Sequence, residues 1–260
     1  FGTVGTPAPF WSKWAELEDR EAEVLAAINA PLDSEQNRRT FVDGFREDRA
    51  AYDARFERGD RLMTEQDRVL WALTRPERLL DLARRFTLFD AGEKKVARYQ
   101  QFLAVRKIIR RVTGQRDEEG RRQGGVVWHT QGSGKSLTMV MLARALALEP
   151  SIADPRIVLV TDRIDLDEQL EGTFKACGLE PKRATPGRNL LDLVATEKRA
   201  VVTTLINKFD TALNVRDFAD PSADVFLLVD ESHRGQYGRL HSRMRKIFPN
   251  ACYLGFTGTP

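Results

Sequence analysis

Two kinds of hydrophobic pattern meet near residue 124 of this chain. Before that point the text is charged and rich in Ala and Leu, with few β-branched runs. Residues 14–28 set Leu17, Val24, Leu25 and Ile28 at helical spacing, which predicts one helix. Asp33-Ser34 followed by Gln36 predicts a capped second helix running to about residue 58, weakened by Gly44 inside it. Arg75-Pro76 opens another, with Leu79, Leu80, Leu82, Ala83 and Phe86 on its apolar face. A further helix is predicted over 94–111, with Val96, Tyr99, Phe102, Leu103, Val105 and Ile109 inward.

After residue 124 the text alternates strand and helix. Residues 126–129, 157–161, 200–204, 225–230 and 252–257 are short apolar runs without strict alternation, the pattern of strands buried on both faces. Helical segments between them predict an α/β fold: a parallel sheet with helices on both faces, preceded by a mainly α-helical segment. In such sheets ligands bind at the carboxyl ends of the strands. No internal repeat or low-complexity tract interrupts the pattern.

Composition narrows the classes. A chain of 260 residues, 42% hydrophobic and 30% charged, can bury a real core. A net charge of +3 gives no overall basic signature, so any nucleic-acid surface is local. Cys177 and Cys252 have neither metal-ligand spacing nor scaffold density, which points to a reducing cytoplasm. No apolar stretch approaches the ~18 residues of a membrane span, so no membrane partner is expected. The start lacks an initiator Met and the end reads as cut, so a segment of a longer polypeptide is expected.

The sharpest chemistry follows the run Val126-Val127-Trp128. There the chain reads His129-Thr130-Gln131-Gly132-Ser133-Gly134-Lys135-Ser136, then turns helical. Strand, Gly-rich turn and helix are the context of a phosphate-binding loop. Glycines let backbone N–H groups turn toward phosphate oxygens, and the new helix adds its positive end. Lys135 would reach the β- and γ-phosphates of ATP, and the Ser136 hydroxyl would ligate Mg2+. The generic pattern places Gly where this chain has His129.

A second constellation closes the run 225–229, where the chain enters Asp230-Glu231-Ser232-His233. A carboxylate at the end of a buried strand is costly without a partner or metal. Asp230 can hold Mg2+, Glu231 can take the proton of an attacking water, and His233 can link the γ-phosphate site to its neighbours. The bland alternative is a helix cap by Asp230 or Ser232.

With these residues in view, Gly132-Ser133-Gly134-Lys135-Ser136, Asp230-Glu231-Ser232-His233 and Thr257-Gly258-Thr259 resemble motifs I, II and III of superfamily 2 helicases and translocases. The flanks resemble the restriction subunit of type I restriction–modification enzymes: Ala97-Arg98-Tyr99-Gln100-Gln101-Phe102, Trp128-His129-Thr130-Gln131, Val160-Thr161-Asp162-Arg163-Ile164-Asp165-Leu166, and Thr203-Thr204 with Lys208-Phe209. The resemblance covers about residues 75–260. It implies a RecA-like motor domain over 124–260, a helical lead-in with an adenine-reading motif over 75–123, and a helical linker over 1–74 following a nuclease domain outside the chain. It implies adenine reading by Gln101, with Gln100 ranked lower, and nucleic-acid backbone contact by Asp162, Arg163, Thr203 and Thr204. Thr257, Gly258 and Thr259 would couple nucleotide state to the nucleic-acid side. The implied partners are duplex DNA and the modification and specificity subunits.

Other readings stay open: a different superfamily 2 helicase acting on DNA or RNA, a nucleotide-binding module without turnover, or a metabolic P-loop kinase. Asp90, Glu93 and Lys95 have the composition of a nuclease site, but the pattern places them in a loop before a helix, not on strands. The basic stretch Arg106, Lys107, Arg110, Arg111, Arg116, Arg121 and Arg122 reads as a solvated helix end and loop ahead of a DNA surface.

Overall fold

The structure is a computed structural model, and it describes residues 7, 14, 21–114, 116–130, 132–184, 188–196, 201–206, 209, 219–230 and 237–258. They form two compact units, a helical one ending at Asp81 and a sheet-based one starting at Leu82.

The helical unit contains α1 (Glu21–Asn29), α2 (Ser34–Asn37), α3 (Arg49–Glu57) and α4 (Glu65–Thr74), and α5 (Pro76–Arg85) runs across the division. Asp33 caps α2 as expected, in a reciprocal box with Gln36. The long helix expected to residue 58 is broken, however. After α2 the turns widen over Arg38–Val42, and a short turn over Arg46–Asp48 precedes α3. Gly44 marks the break: a Cβ there would stand 2.9 Å from the Thr40 carbonyl, which Phe45 N–H needs as its acceptor. Of the apolar face expected from Leu79 to Phe86, only Leu82 and Phe86 are buried.

The sheet unit opens with a hairpin that the pattern did not predict. β1 (Thr87–Asp90) and β2 (Glu93–Val96) pair antiparallel around Ala91-Gly92. Both turn residues have positive φ (50° and 87°), the two-residue turn whose twist suits a hairpin. The helix expected from residue 94 therefore begins later, as α6 (Tyr99–Thr113). Asp90, Glu93 and Lys95 thus do lie on strands, correcting the loop placement. Lys95 pairs with Glu93, whose side chain is exposed.

Six parallel strands follow: β3 (Gly125–Trp128), β4 (Arg156–Thr161), β5 (Lys182–Arg183), β6 (Val201–Leu205), β7 (Val225–Asp230) and β8 (Cys252–Thr257). Their spatial order is β3-β8-β7-β4-β6-β5. The flanking helices are α6, α7 (Lys135–Ala147), α8 (Ile164–Ala176), α9 (Arg188–Thr196) and α10 (Tyr237–Ile247). Every residue of β7 and β8 is buried, as a contiguous apolar run requires in the middle of a covered sheet. β3 differs: Val126 and Trp128 are 67% and 66% exposed, because this strand pairs only with β8 among the described residues.

At the amino ends of the strands, Arg122 fixes the entry to β3. Its guanidinium donates to the Val112 carbonyl (3.0 Å), the Ala223 carbonyl (3.1 Å) and the Asp224 carboxylate (2.7 Å), so burying it leaves its charge paired. Arg111 donates to the Gly124 carbonyl, Arg116 to Gly120, and Arg121 to Asp117. The basic stretch is thus largely spent on local structure.

A candidate nucleotide site at the carboxyl edge of the sheet

Parallel strands bring the ends of β3, β4, β7 and β8 to one edge, and the candidate residues sit there. Trp128 on β3 pairs with Thr257 on β8, and Asp230 on β7 pairs with Phe256. The phosphate loop and the acidic strand end therefore lie on either side of β8.

The loop's shape follows from its glycines. Gly132 (φ 74°) and Gly134 (φ 86°) adopt the left-handed conformation that L side chains rarely enter. The Ser133 N–H donates to the Thr130 carbonyl (3.0 Å), tightening the turn before α7. Gly134 caps that helix, and its carbonyl accepts from both the backbone and the hydroxyl of Thr138, at 3.0 Å each. Glycine is needed there for a second reason. A Cβ would stand 2.8 Å from the Gln101 amide nitrogen, which donates to the same carbonyl at 3.2 Å.

Lys135, the first residue of α7, points across the edge and pairs with Asp230 at 2.6 Å. The Asp230 side chain is 8% exposed, and this pair offsets the cost of burying its charge. Ser136 follows in the first turn of α7. His129 is buried and sits 2.6 Å from the Ser133 hydroxyl through Nδ1. Burial, with the nearby charge of Lys135, holds its pKa below the usual histidine value, favouring the neutral ring.

Gln101 is buried at the start of α6, whereas Gln100 is exposed. Its carbonyl oxygen accepts from the Arg98 N–H at 2.9 Å while its amide holds Gly134. The side chain thus braces the phosphate loop, a contact between residues 33 apart that no local pattern announces.

The expected nucleic-acid contacts divide. Arg163 is exposed at the cap of α8 and pairs with Asp165, beside the half-buried Asp162. Thr203 and Thr204 are 0% and 1% exposed, inside β6 between β4 and β5. Thr257 is buried, and Gly258 follows at the end of β8. Gln131, Glu231, His233 and Thr259 lie outside the described residues. Among the described residues, no helix is long and apolar enough to cross a membrane.

A glycine-turned phosphate loop and a strand-end aspartate at one edge of a parallel sheet define a P-loop nucleotide-binding protein. Residues 100–260, more than half of the chain, match the model of the SWI2/SNF2 ATPase family, and the chain belongs to that family. The curated relatives carry the resemblance read from the motifs. The chain is 38% identical over 223 residues to the type I restriction enzyme HindI endonuclease subunit of Haemophilus influenzae, covering 75% of this chain and 21% of that protein. It is 32% identical over 193 residues to a type I restriction enzyme endonuclease subunit of Staphylococcus aureus, covering 72% and 20%. The chain spans about a fifth of the length of the curated relatives it matches. Among solved structures, the Sulfolobus solfataricus SWI2/SNF2 ATPase core in complex with double-stranded DNA aligns at 13% identity with a TM-score of 0.49, covering 69% of this chain and 34% of that one.

Proposed function

We propose that this chain is the nucleotide-binding part of an ATP-driven DNA translocase. It would work within a type I restriction enzyme, beside modification and specificity subunits, moving duplex DNA before cleavage. The observation that carries the reading is the 2.6 Å pair between Lys135 and Asp230, formed across the edge where a nucleotide would lie. This pair keeps both charges satisfied in the resting site. On binding, the β- and γ-phosphates take the ammonium of Lys135, and the Asp230 carboxylate is released.

The released carboxylate and the Ser136 hydroxyl suit Mg2+, which would offset phosphate charge when bound. The described residues include no cluster of three or more His, Cys, Asp or Glu able to cage a metal. One carboxylate and one hydroxyl fit a metal held chiefly by phosphates and water. Glu231 accepts the proton of the attacking water, and His233 relays the state of the γ-phosphate site. Gly132, Ser133 and Gly134, with Thr130 at the loop's entry, supply the phosphate cradle. Gln101 reads the adenine from its place against the loop. Asp162, Arg163, Thr203 and Thr204 meet the DNA backbone, where sequence-blind contacts suit a translocase. Residues 124–260 form the first RecA-like motor domain, 75–123 the lead-in, and 1–74 a linker.

Calorimetry tests the core of this reading. Lys135→Ala should abolish Mg-ATP binding, and unchanged affinity in a folded variant removes the phosphate-loop assignment. In the full-length enzyme Glu231→Gln should keep ATP binding and lose DNA-stimulated hydrolysis, because an amide cannot accept the proton. Normal turnover would leave Glu231 as a helix-terminal acid.

A further inference from the structure

The phosphate loop and the Thr257-Gly258 turn are joined by a dipeptide with no part in the chemistry above. Trp128 and His129 close β3 and enter the loop. Successive side chains leave a strand on opposite faces, and these two environments differ accordingly. The Trp128 ring is 66% exposed, so water could satisfy its one polar atom. The indole N–H instead donates to the Gly258 carbonyl at 3.3 Å. The His129 side chain is buried and meets the Ser133 hydroxyl, in the middle of the loop, at 2.6 Å. Between them, the His129 backbone N–H donates to the Thr257 carbonyl at 2.8 Å, carrying the β3–β8 ladder one step past the strand. From Ser133 the contact to His129 thus continues along two branches, through the His129 N–H to Thr257 and through the adjoining Trp128 indole to Gly258.

We propose that Trp128 and His129 are positioning residues that transmit occupancy of the phosphate loop to the Thr257-Gly258 turn. The proposal rests on the phosphate-loop reading and adds a route by which the site signals. Generic loops of this kind place glycine at the His129 position, which leaves the Ser133 hydroxyl no side-chain partner there. Here the imidazole sets the hydroxyl, and any shift of Ser133 on phosphate binding reaches the end of β8 through the same ring and its backbone. Gly258 suits the receiving end: a Cβ there would lie 3.8 Å from the His129 carbonyl, so the turn already packs against the loop's entry.

Two measurements on the 260-residue chain test this, both with Mg-ATP as the probe. The first is a double-mutant cycle in binding affinity. His129→Ala and Ser133→Ala should each weaken affinity about two- to tenfold, the range for loss of one hydrogen bond. The double variant should be no worse than the weaker single, and His129→Asn, which keeps a polar atom near Nδ1, should recover most of the loss. Additive losses, or no loss in His129→Ala, overturn the proposal. The second is hydrogen exchange at residues 254–258 with saturating nucleotide. Wild type should gain protection there, whereas Trp128→Phe, which keeps a ring but drops the N–H, should lose that response. A response retained in Trp128→Phe overturns the Trp128 arm. If wild type itself fails to bind Mg-ATP, the phosphate-loop reading falls. If wild type binds and the cycle is additive, only the transmission falls.

Discussion

The two units solve the problem of holding a helix by different means. In the sheet unit, α6 is anchored by packing: Phe102 is fully buried, 4.6 Å from the Phe86 ring, with Val105, Ile108 and Val112 along the same face. In the helical unit the buried apolar side chains among the described residues are Trp14, Val24, Phe41 and Ala72, while Phe45 and Leu62 are 63% and 87% exposed. Its order comes from polar geometry. Thr64 caps α4 in a reciprocal box with Asp67, and Arg61 grips the same carboxylate through two bonds of 2.6 Å. Asn29 holds Arg61 in turn, accepting from its N–H and donating to its carbonyl. The contrast shows why the nucleotide chemistry sits where it does. A loop whose donors must hold position to a fraction of an ångström needs a support that cannot fray, and close-packed interiors supply it better than capped surface helices.

The largest effect that would sharpen this contrast is expected from Phe102→Ala. Truncating a fully buried aromatic costs about 3–5 kcal/mol through lost burial and the cavity left behind. Urea denaturation should show that loss, and exchange at residues 102–112 should accelerate. A loss below about 1 kcal/mol would mean that α6 is not held by its core face.

Much of this was legible beforehand. The runs 225–230 and 252–257 are the observed β7 and β8 because strands covered on both faces need contiguous apolar residues. Asp230 and Lys135 stood out through a carboxylate closing an apolar strand and a lysine following a glycine-rich turn, and the structure brings the two together at 2.6 Å. The hairpin was not, since Glu93-Lys94-Lys95-Val96 has too little apolar content to show a period of two. β5 was missed for the same reason: Lys182-Arg183 joins the sheet only through backbone pairing to β6. The burial of Thr203 and the brace from Gln101 to Gly134 depend on partners distant in the chain, which residue spacing does not carry.

A smaller effect should follow from Thr64→Ala in the helical unit. Loss of a helix cap costs about 1 kcal/mol, read as faster exchange over residues 65–70. Acid should reach the same place. The Arg61 guanidinium first, and the Thr64 hydroxyl next, hold the Asp67 carboxyl well below the usual carboxylate range. A depressed carboxyl contributes stability that is present above the ordinary aspartate value and lost as pH falls toward its lower folded value. Protection over 65–70 should therefore fade in acid, and Asp67→Asn should flatten that dependence. Unchanged acid sensitivity in Asp67→Asn would assign it to another group.

The smallest effect is expected from Arg49→Ala, and its smallness completes the comparison. Arg49 pairs with Asp53 one turn along α3 at 2.8 Å, and both side chains are about half exposed. Arg49 also donates to the Asn37 side chain and lies over the Phe41 ring at 5.5 Å. Counted as contacts, this residue looks as well held as Arg61. The physics separates them. Water and salt screen an exposed pair, and ordering two long side chains costs about as much entropy as the attraction returns. Arg61 is held on a carboxylate whose side chain is only 12% exposed and which already caps a helix, so its bonds displace less water and need less new order. Arg49→Ala should therefore leave the urea midpoint unchanged within error at ordinary salt, with any shift vanishing at higher ionic strength. A salt-independent loss comparable to that of Thr64→Ala would place the stabilisation in the packing of Arg49 against Phe41, and the helical unit would then owe more to burial than its exposed side chains suggest.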